Sequence, residues 1–128
     1  MVVSNAREAA EYAERWADAW NRKALEEILT HFADDVVFSS PKALDTMGVP
    51  TVRGKAELRE YWRRALARIE TIEFTVERVI FDAARHEIAI IYDRHVNGRR
   101  DRAAEVLRFG PTGLVDAGEV LYGVIPSK

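Results

Sequence analysis

From Ile72 to Val124 the chain alternates apolar and polar residues with a period of two, and one dipeptide inside that run, Asn97-Gly98, restricts the possible folds sharply. Alternation of this kind marks half-buried strands. Asn-Gly favours a two-residue type I′ turn, whose backbone twist matches that of paired strands. Val96 is then predicted to pair with Arg99, Arg94 with Asp101, Tyr92 with Ala103 and Ile90 with Glu105. Four strands are expected, roughly Ile72–Phe81, Glu87–Val96, Arg102–Phe109 and Leu114–Val124. Gly110-Pro111-Thr112-Gly113 reads as the last turn. Closing it pairs Phe109 with Leu114, Leu107 with Asp116, Glu105 with Gly118, Ala103 with Val120 and Asp101 with Tyr122.

Upstream the period is helical. Asn5 and Glu8 resemble a capping box, followed by Ala9, Tyr12, Ala13, Trp16, Ala17 and Trp20 on one stripe. A second short helix carries Leu25, Ile28, Leu29 and Phe32 on one stripe, and His31 ends it. Asp34 and Asp35 lead into a strand from Val36 to Ser40, which Pro41 ends. Pro41 to Gly54 is expected to be a long loop, a lid or a surface excursion. A third helix runs from Lys55 to about Arg68, with Leu58, Tyr61, Trp62, Ala65, Leu66 and Ile69 on its apolar face. Helices ahead of consecutive strands indicate one α+β domain over 1–128, helices covering one face of a sheet.

Pairing preserves the face, so the inner surface collects Ile90, Tyr92, Arg94, Ala103, Glu105, Leu107, Asp116, Gly118, Val120 and Tyr122. Glu105 is the anomaly there. A carboxylate among apolar neighbours is unfavourable unless it is paired, hydrogen-bonded or protonated, and burial raises its pKa toward the range of a neutral-pH acid or base. The alternatives are a structural hydrogen bond or an ion pair with Arg94. Arg94 itself suits either a ligand anion or a cross-strand pair with Asp101. Asp116, diagonal to Glu105 in this register, could share a proton with it. Tyr92 and Tyr122 suit a ligand carbonyl or a core position with a wet hydroxyl. The outer face, with Ala89, Ile91, Asp93, His95, Arg102, Ala104, Val106, Arg108, Ala117, Glu119 and Leu121, mixes apolar and charged groups in the manner of a subunit interface. A homodimer through it is expected.

Nineteen basic residues against 21 acidic ones leave no basic footprint for nucleic acid. The chain has no cysteine, hence no disulfide or thiolate chemistry. No apolar run approaches the roughly 18 residues that span a bilayer. The start, Met1 to Glu8, turns polar too soon for a signal peptide, and a cytoplasmic protein is expected. His31, His86 and His95 form no pair with metal-ligand spacing. No phosphate loop or dinucleotide fingerprint is present, so neither metal nor cofactor is expected.

The segments Trp16-Ala17-Asp18-Ala19-Trp20-Asn21, Leu29-Thr30-His31-Phe32-Ala33-Asp34-Asp35-Val36, Gly54-Lys55-Ala56-Glu57-Leu58-Arg59-Glu60-Tyr61-Trp62 and Glu105-Val106-Leu107-Arg108-Phe109, with Pro41, carry a family resemblance. The chain resembles the superfamily of ketosteroid isomerases, SnoaL-like polyketide cyclases and scytalone dehydratases, also called nuclear transport factor two-like. That resemblance implies a curved, mostly antiparallel sheet wrapped around helices, forming a cone with an apolar pocket (a cystatin-like α+β barrel). It places Glu105 where ketosteroid isomerase has a protonated aspartic acid, Trp16 where it has an oxyanion-hole tyrosine, and Ser40 where it has the basic aspartate. An indole N–H donates a hydrogen bond but does not readily transfer a proton, and a serine is no base unaided. The Asp-Arg-Asp arrangement of limonene epoxide hydrolase is missing, since Tyr92 and Arg94 occupy the comparable strand and Val120 stands near the last aspartate's place.

In such a cone the core and the pocket wall are one surface, so Trp16 and Trp62 are expected to line it. The expected ligand is a small apolar molecule bearing a carbonyl, with Glu105 as acid or base in an isomerisation, cyclisation, dehydration or hydrolysis. The alternative is a non-catalytic binding or interaction module of the same fold.

Overall fold

A computed structural model describes residues 3–127; Met1 and Val2, part of the N-terminal reading above, lie outside it. The elements follow as α1 (Ala6–Asn21), α2 (Leu25–Leu29), β1 (Phe32–Ser39), α3 (Pro41–Met47), β2 (Thr51–Arg53), α4 (Lys55–Ala67), β3 (Ile72–Asp82), β4 (Glu87–Val96), β5 (Arg99–Phe109) and β6 (Val115–Gly123). The six strands form one curved sheet in the order β2-β1-β6-β5-β4-β3. Every neighbouring pair is antiparallel except β1 and β6, which run parallel.

Asn5 caps α1, its side chain accepting from the Glu8 backbone N–H. The Glu8 carboxylate reaches one residue further back than a capping box requires, to the N–H and hydroxyl of Ser4. Behind the cap, Ala9, Tyr12, Ala13, Trp16, Ala17 and Trp20 are all buried. At the far end, the Asn21 amide accepts from Phe74 N at 2.7 Å and donates to Phe74 O at 3.0 Å. One side chain thus acts as a strand partner and anchors α1 to β3.

The Asn97-Gly98 turn forms as expected. Both residues have positive φ, +50° and +82°, and the β4–β5 register is the predicted one, Ile90 opposite Glu105 included. Asn97 also accepts from the backbone N–H groups of Glu70 and Thr71 and donates to Arg68 O. The hairpin tip is thereby pinned to the segment leaving α4.

The second helix ends at Leu29 and β1 already begins at Phe32, so Phe32, Asp34 and Asp35 belong to the strand and not to the helix or a lead-in. Two further expectations need correction. Pro41 to Gly54 is no open loop, for it contains α3 and β2. Ser40 is the N-cap of α3 and Pro41 occupies its first turn, where a missing N–H is harmless. Gly48 ends the helix in the left-handed conformation. The second correction concerns β6, which is displaced by two residues. The turn keeps Leu114, whose carbonyl accepts from Gly110 N at 2.8 Å, so Phe109 pairs with Val115. A bulge at the next step absorbs another residue, and Arg108 pairs with Ala117. Glu105 therefore faces Val120, Leu107 faces Gly118 and Ala103 faces Tyr122. Because the slip is two residues and side chains alternate with period two, Gly118, Val120 and Tyr122 keep the predicted face.

Gly118 has a different purpose from the one its expected place beside Glu105 suggested. A Cβ there would lie 2.8 Å from the Phe38 ring and 3.2 Å from Leu107. The glycine admits Phe38 of the parallel neighbour β1 to the core.

Candidate functional site

Packing of α1 and α4 against the concave side of the sheet leaves a narrow cavity of about 70 Å³. From α1 it receives Trp16 and Trp20, from α4 Tyr61, Trp62 and Ala65, and from the start of α3 Lys42. The sheet contributes Phe38, Phe74, Tyr92, Arg94, Glu105, Val120 and Tyr122. Ligand pockets commonly measure about 300 Å³ or more, so this one suits a compact ligand or requires its rings to move.

Aromatic rings make the wall. Trp16 meets Tyr92 edge-on at 4.7 Å and stacks on Phe74 at 5.5 Å. Trp62 contacts Trp20 at 5.1 Å and Phe38 at 5.3 Å, both nearly perpendicular. The indole N–H groups of Trp16 and Trp20 are buried and have no hydrogen-bond partner among the described residues. Leaving such a donor unpaired costs about 1–3 kcal/mol, so each indole gains from any acceptor that a small ring movement brings within reach.

Glu105 is the buried carboxyl of the site, 3 % exposed. Its hydrogen-bond partner is the Tyr92 hydroxyl, which donates to Oε1 at 3.3 Å. Burial pushes its pKa up to about 8, against the opposing influence of that hydrogen bond and of the Arg94 charge. At pH 7 the group is therefore mainly protonated and can donate, while its ionised fraction is a stronger base than an ordinary carboxylate. Burial first, and Glu105 next, hold the Tyr92 hydroxyl well above its usual pKa, so Tyr92 acts as a donor only. Burial likewise raises Tyr61, to about 12, and Tyr122 further still.

Arg94 takes the partner foreseen as one of its alternatives. Its Nη1 contacts both oxygens of Asp101, at 2.7 and 3.0 Å, and no ion pair joins it to Glu105 among the described residues. Its guanidinium lies 5.0 Å from the centre of the Tyr122 ring. Ser40 is buried but is not part of the wall. Its hydroxyl caps α3 and accepts from the Tyr61 hydroxyl at 3.3 Å, so it steadies a residue that does line the cavity.

Trp16, Trp62, Tyr92, Arg94, Glu105, Val120 and Tyr122 thus converge as the sequence suggested. Asp116 does not. The bulge turns it toward Gly110 and the outer side, where it accepts from Arg108 Nε at 3.1 Å, and the proposed carboxyl pair with Glu105 does not form. Lys42 and Tyr61 were not foreseen as site residues. Tyr61 was legible on the apolar stripe of α4 beside Trp62. Lys42 became visible only once Ser40-Pro41 proved to open a helix against the cavity.

Residues 13–115 match the SnoaL-like domain family. A SnoaL-like protein of unknown function from Burkholderia thailandensis is 32% identical, with a TM-score of 0.79 over 90% of this chain and 93% of that one. A protein of unknown function with a cystatin-like fold from Methylobium petroleophilum is 22% identical, with a TM-score of 0.73 over 98% of this chain and 83% of its own. An NTF2-like protein of unknown function from Burkholderia pseudomallei, also 22% identical, has a TM-score of 0.74 over 89% of each chain. No curated protein matches the chain significantly. Over most of its length, then, this chain belongs to the SnoaL-like domain family.

Proposed function

We propose that the protein is a small-molecule enzyme in which Glu105 moves a proton on a compact, apolar, carbonyl-bearing ligand held in the cavity. The observation that carries this reading is a single buried carboxyl with a pKa near 8, lining the same cavity as Trp16 and Trp20, whose indole N–H groups are buried without a partner among the described residues. A ligand carbonyl would satisfy those donors, and they would hold the negative charge that develops on its oxygen when an adjacent carbon loses a proton. The ionised form of Glu105 takes that proton and, once protonated, returns it to the same or a neighbouring atom. One carboxyl thereby serves as base and acid in turn, which fits isomerisation, cyclisation or dehydration better than a mechanism needing two separate groups. Tyr92 supports it by holding Oε1 in place.

A second reading, a binding module without chemistry, is favoured by a specific observation. Ser40, where the resemblance puts a base, is committed to capping α3. Deuterium exchange separates the two. In D₂O, small aryl ketones should exchange the hydrogens beside the carbonyl faster with the protein than without it, and Glu105→Gln should abolish the acceleration. Equal exchange by wild type and variant, with the ketone bound, would leave the binding module.

A further inference from the structure

Lys42 and Arg94 place two cations beside one ring at the exposed end of the cavity. Lys42 Nζ and the Arg94 guanidinium each lie 5.0 Å from the centre of Tyr122, and all three residues line the cavity. Only Nη1 of Arg94 is engaged, by Asp101; no hydrogen bond involves its Nε or Nη2 among the described residues, although the residue is only 9 % exposed. Lys42 is exposed as a residue and has no ion pair within the described residues; partial burial of its ammonium against the cavity first, then the charge of Arg94, lowers its pKa. Arg99 adds to that repulsion, and Asp101 and Asp45 oppose it. At this end of the cavity the charges of Lys42 and Arg94 meet the single carboxylate of Asp101, which leaves an excess of positive charge.

We infer that this end is an anion subsite, and that the ligand carries a carboxylate seated against Lys42 Nζ and the free nitrogens of Arg94. The inference rests on the proton-transfer reading above and adds the substrate class: a compact apolar keto acid. An incoming carboxylate supplies the acceptor that the unused guanidinium nitrogens lack and relieves the repulsion between the two cations. Asp101 gives Arg94 a partner that orients it without occupying all its donors. Glu105, mainly protonated at neutral pH, does not repel a bound anion. Along the paired strands, Glu105 stands four positions from Asp101, the residue opposite Arg94, about 13 Å in backbone terms. Both side chains line the one cavity and the Arg94 charge acts on Glu105, so a ligand whose carbonyl and carboxylate are separated by a few carbons would address both.

Intrinsic fluorescence tests this directly, because all three tryptophans of the chain, Trp16, Trp20 and Trp62, line the cavity. The probes are 3-benzoylpropionate and its methyl ester, titrated into wild type, Lys42→Met and Lys42→Arg. Lys42 is exposed, so these variants should fold. The acid should bind wild type at least about tenfold more tightly than the ester. That preference should collapse in Lys42→Met, persist in Lys42→Arg, and weaken as salt rises. Equal affinity for acid and ester, an unchanged preference in Lys42→Met, or no response to the acid at millimolar concentration would each overturn the anion subsite. Failure of the proton-transfer reading shows separately, as deuterium exchange of the bound ester that is indifferent to Glu105→Gln.

Discussion

The Tyr92 hydroxyl reaches Glu105 Oε1 on a diagonal: Tyr92 stands opposite Ala103 and Glu105 opposite Ile90, and the 3.3 Å contact crosses between those pairs. Diagonal neighbours on one face lie within reach of a long aromatic side chain. Ala103, small and directly opposite, leaves the ring room to lean toward the carboxyl. The contact depends on the β4–β5 register, and so on the Asn97-Gly98 turn that sets it.

The raised pKa of Glu105 makes stability depend on pH. Its folded value is about 8 against an ordinary 4.5, so between those pH values the folded state holds a proton that the unfolded state has lost. The stabilisation is complete below the unfolded pKa and is lost as pH rises through the folded one. Denaturant titrations of wild type and Glu105→Gln should diverge across this window, the wild type losing up to about 5 kcal/mol relative to the variant. A constant difference between pH 4 and 9 would mean that the folded carboxyl titrates normally.

Tyr92→Phe removes the hydrogen bond that opposes the rise in the Glu105 pKa. The pKa should move further up, visible in a carboxyl-carbon NMR titration. Stability should fall by about 1–2 kcal/mol. A downward movement would show that the tyrosine acts on Glu105 by excluding solvent rather than by donating.

Gly118→Ala should be destabilising by about 1–3 kcal/mol through overpacking, since the new methyl would fall 2.8 Å from the Phe38 ring. Thermal melts would report it. Pairing the mutation with Phe38→Leu should recover part of the loss, because the ring is what the methyl strikes.

Asp116→Asn should leave ligand binding, deuterium exchange and the pH profile unchanged. Its partner Arg108 is exposed, and the pair lies outside the cavity. Loss of such a pair changes stability by under about 1 kcal/mol. A shift in the pH profile would instead support the close carboxyl pair expected from the unbulged register.

The outer sheet face exposes Ile80 and Leu121, each about half accessible. A homodimer through this face should appear in light scattering at micromolar concentration, and Leu121→Glu should dissociate it. A monomeric wild type would leave those residues simply solvated.

Local chemistry determined much of this protein before any tertiary contact is considered. The Asn97-Gly98 turn, the period of two around it and the helical stripe of Tyr12, Trp16 and Trp20 are short-range signals, and each produced its element. The resemblance of the helical segments and of Glu105-Val106-Leu107-Arg108-Phe109 led to the right family. Even the two-residue slip of β6 preserved the inner face, because strand periodicity forgives an even error. Ser40-Pro41 also carried a legible helix start, misread because proline ends a strand as readily as it opens a helix. What only the tertiary structure decided were the joint effects of several segments. The bulge that removes Asp116 from the site depends on how β5, β6 and their turn close together. Lys42 lies over the Tyr122 ring only because α3 forms and packs on α4 and β2. The pKa of Glu105 depends on the helices that cover it, since desolvation is a property of the whole enclosure and not of a residue or its chain neighbours.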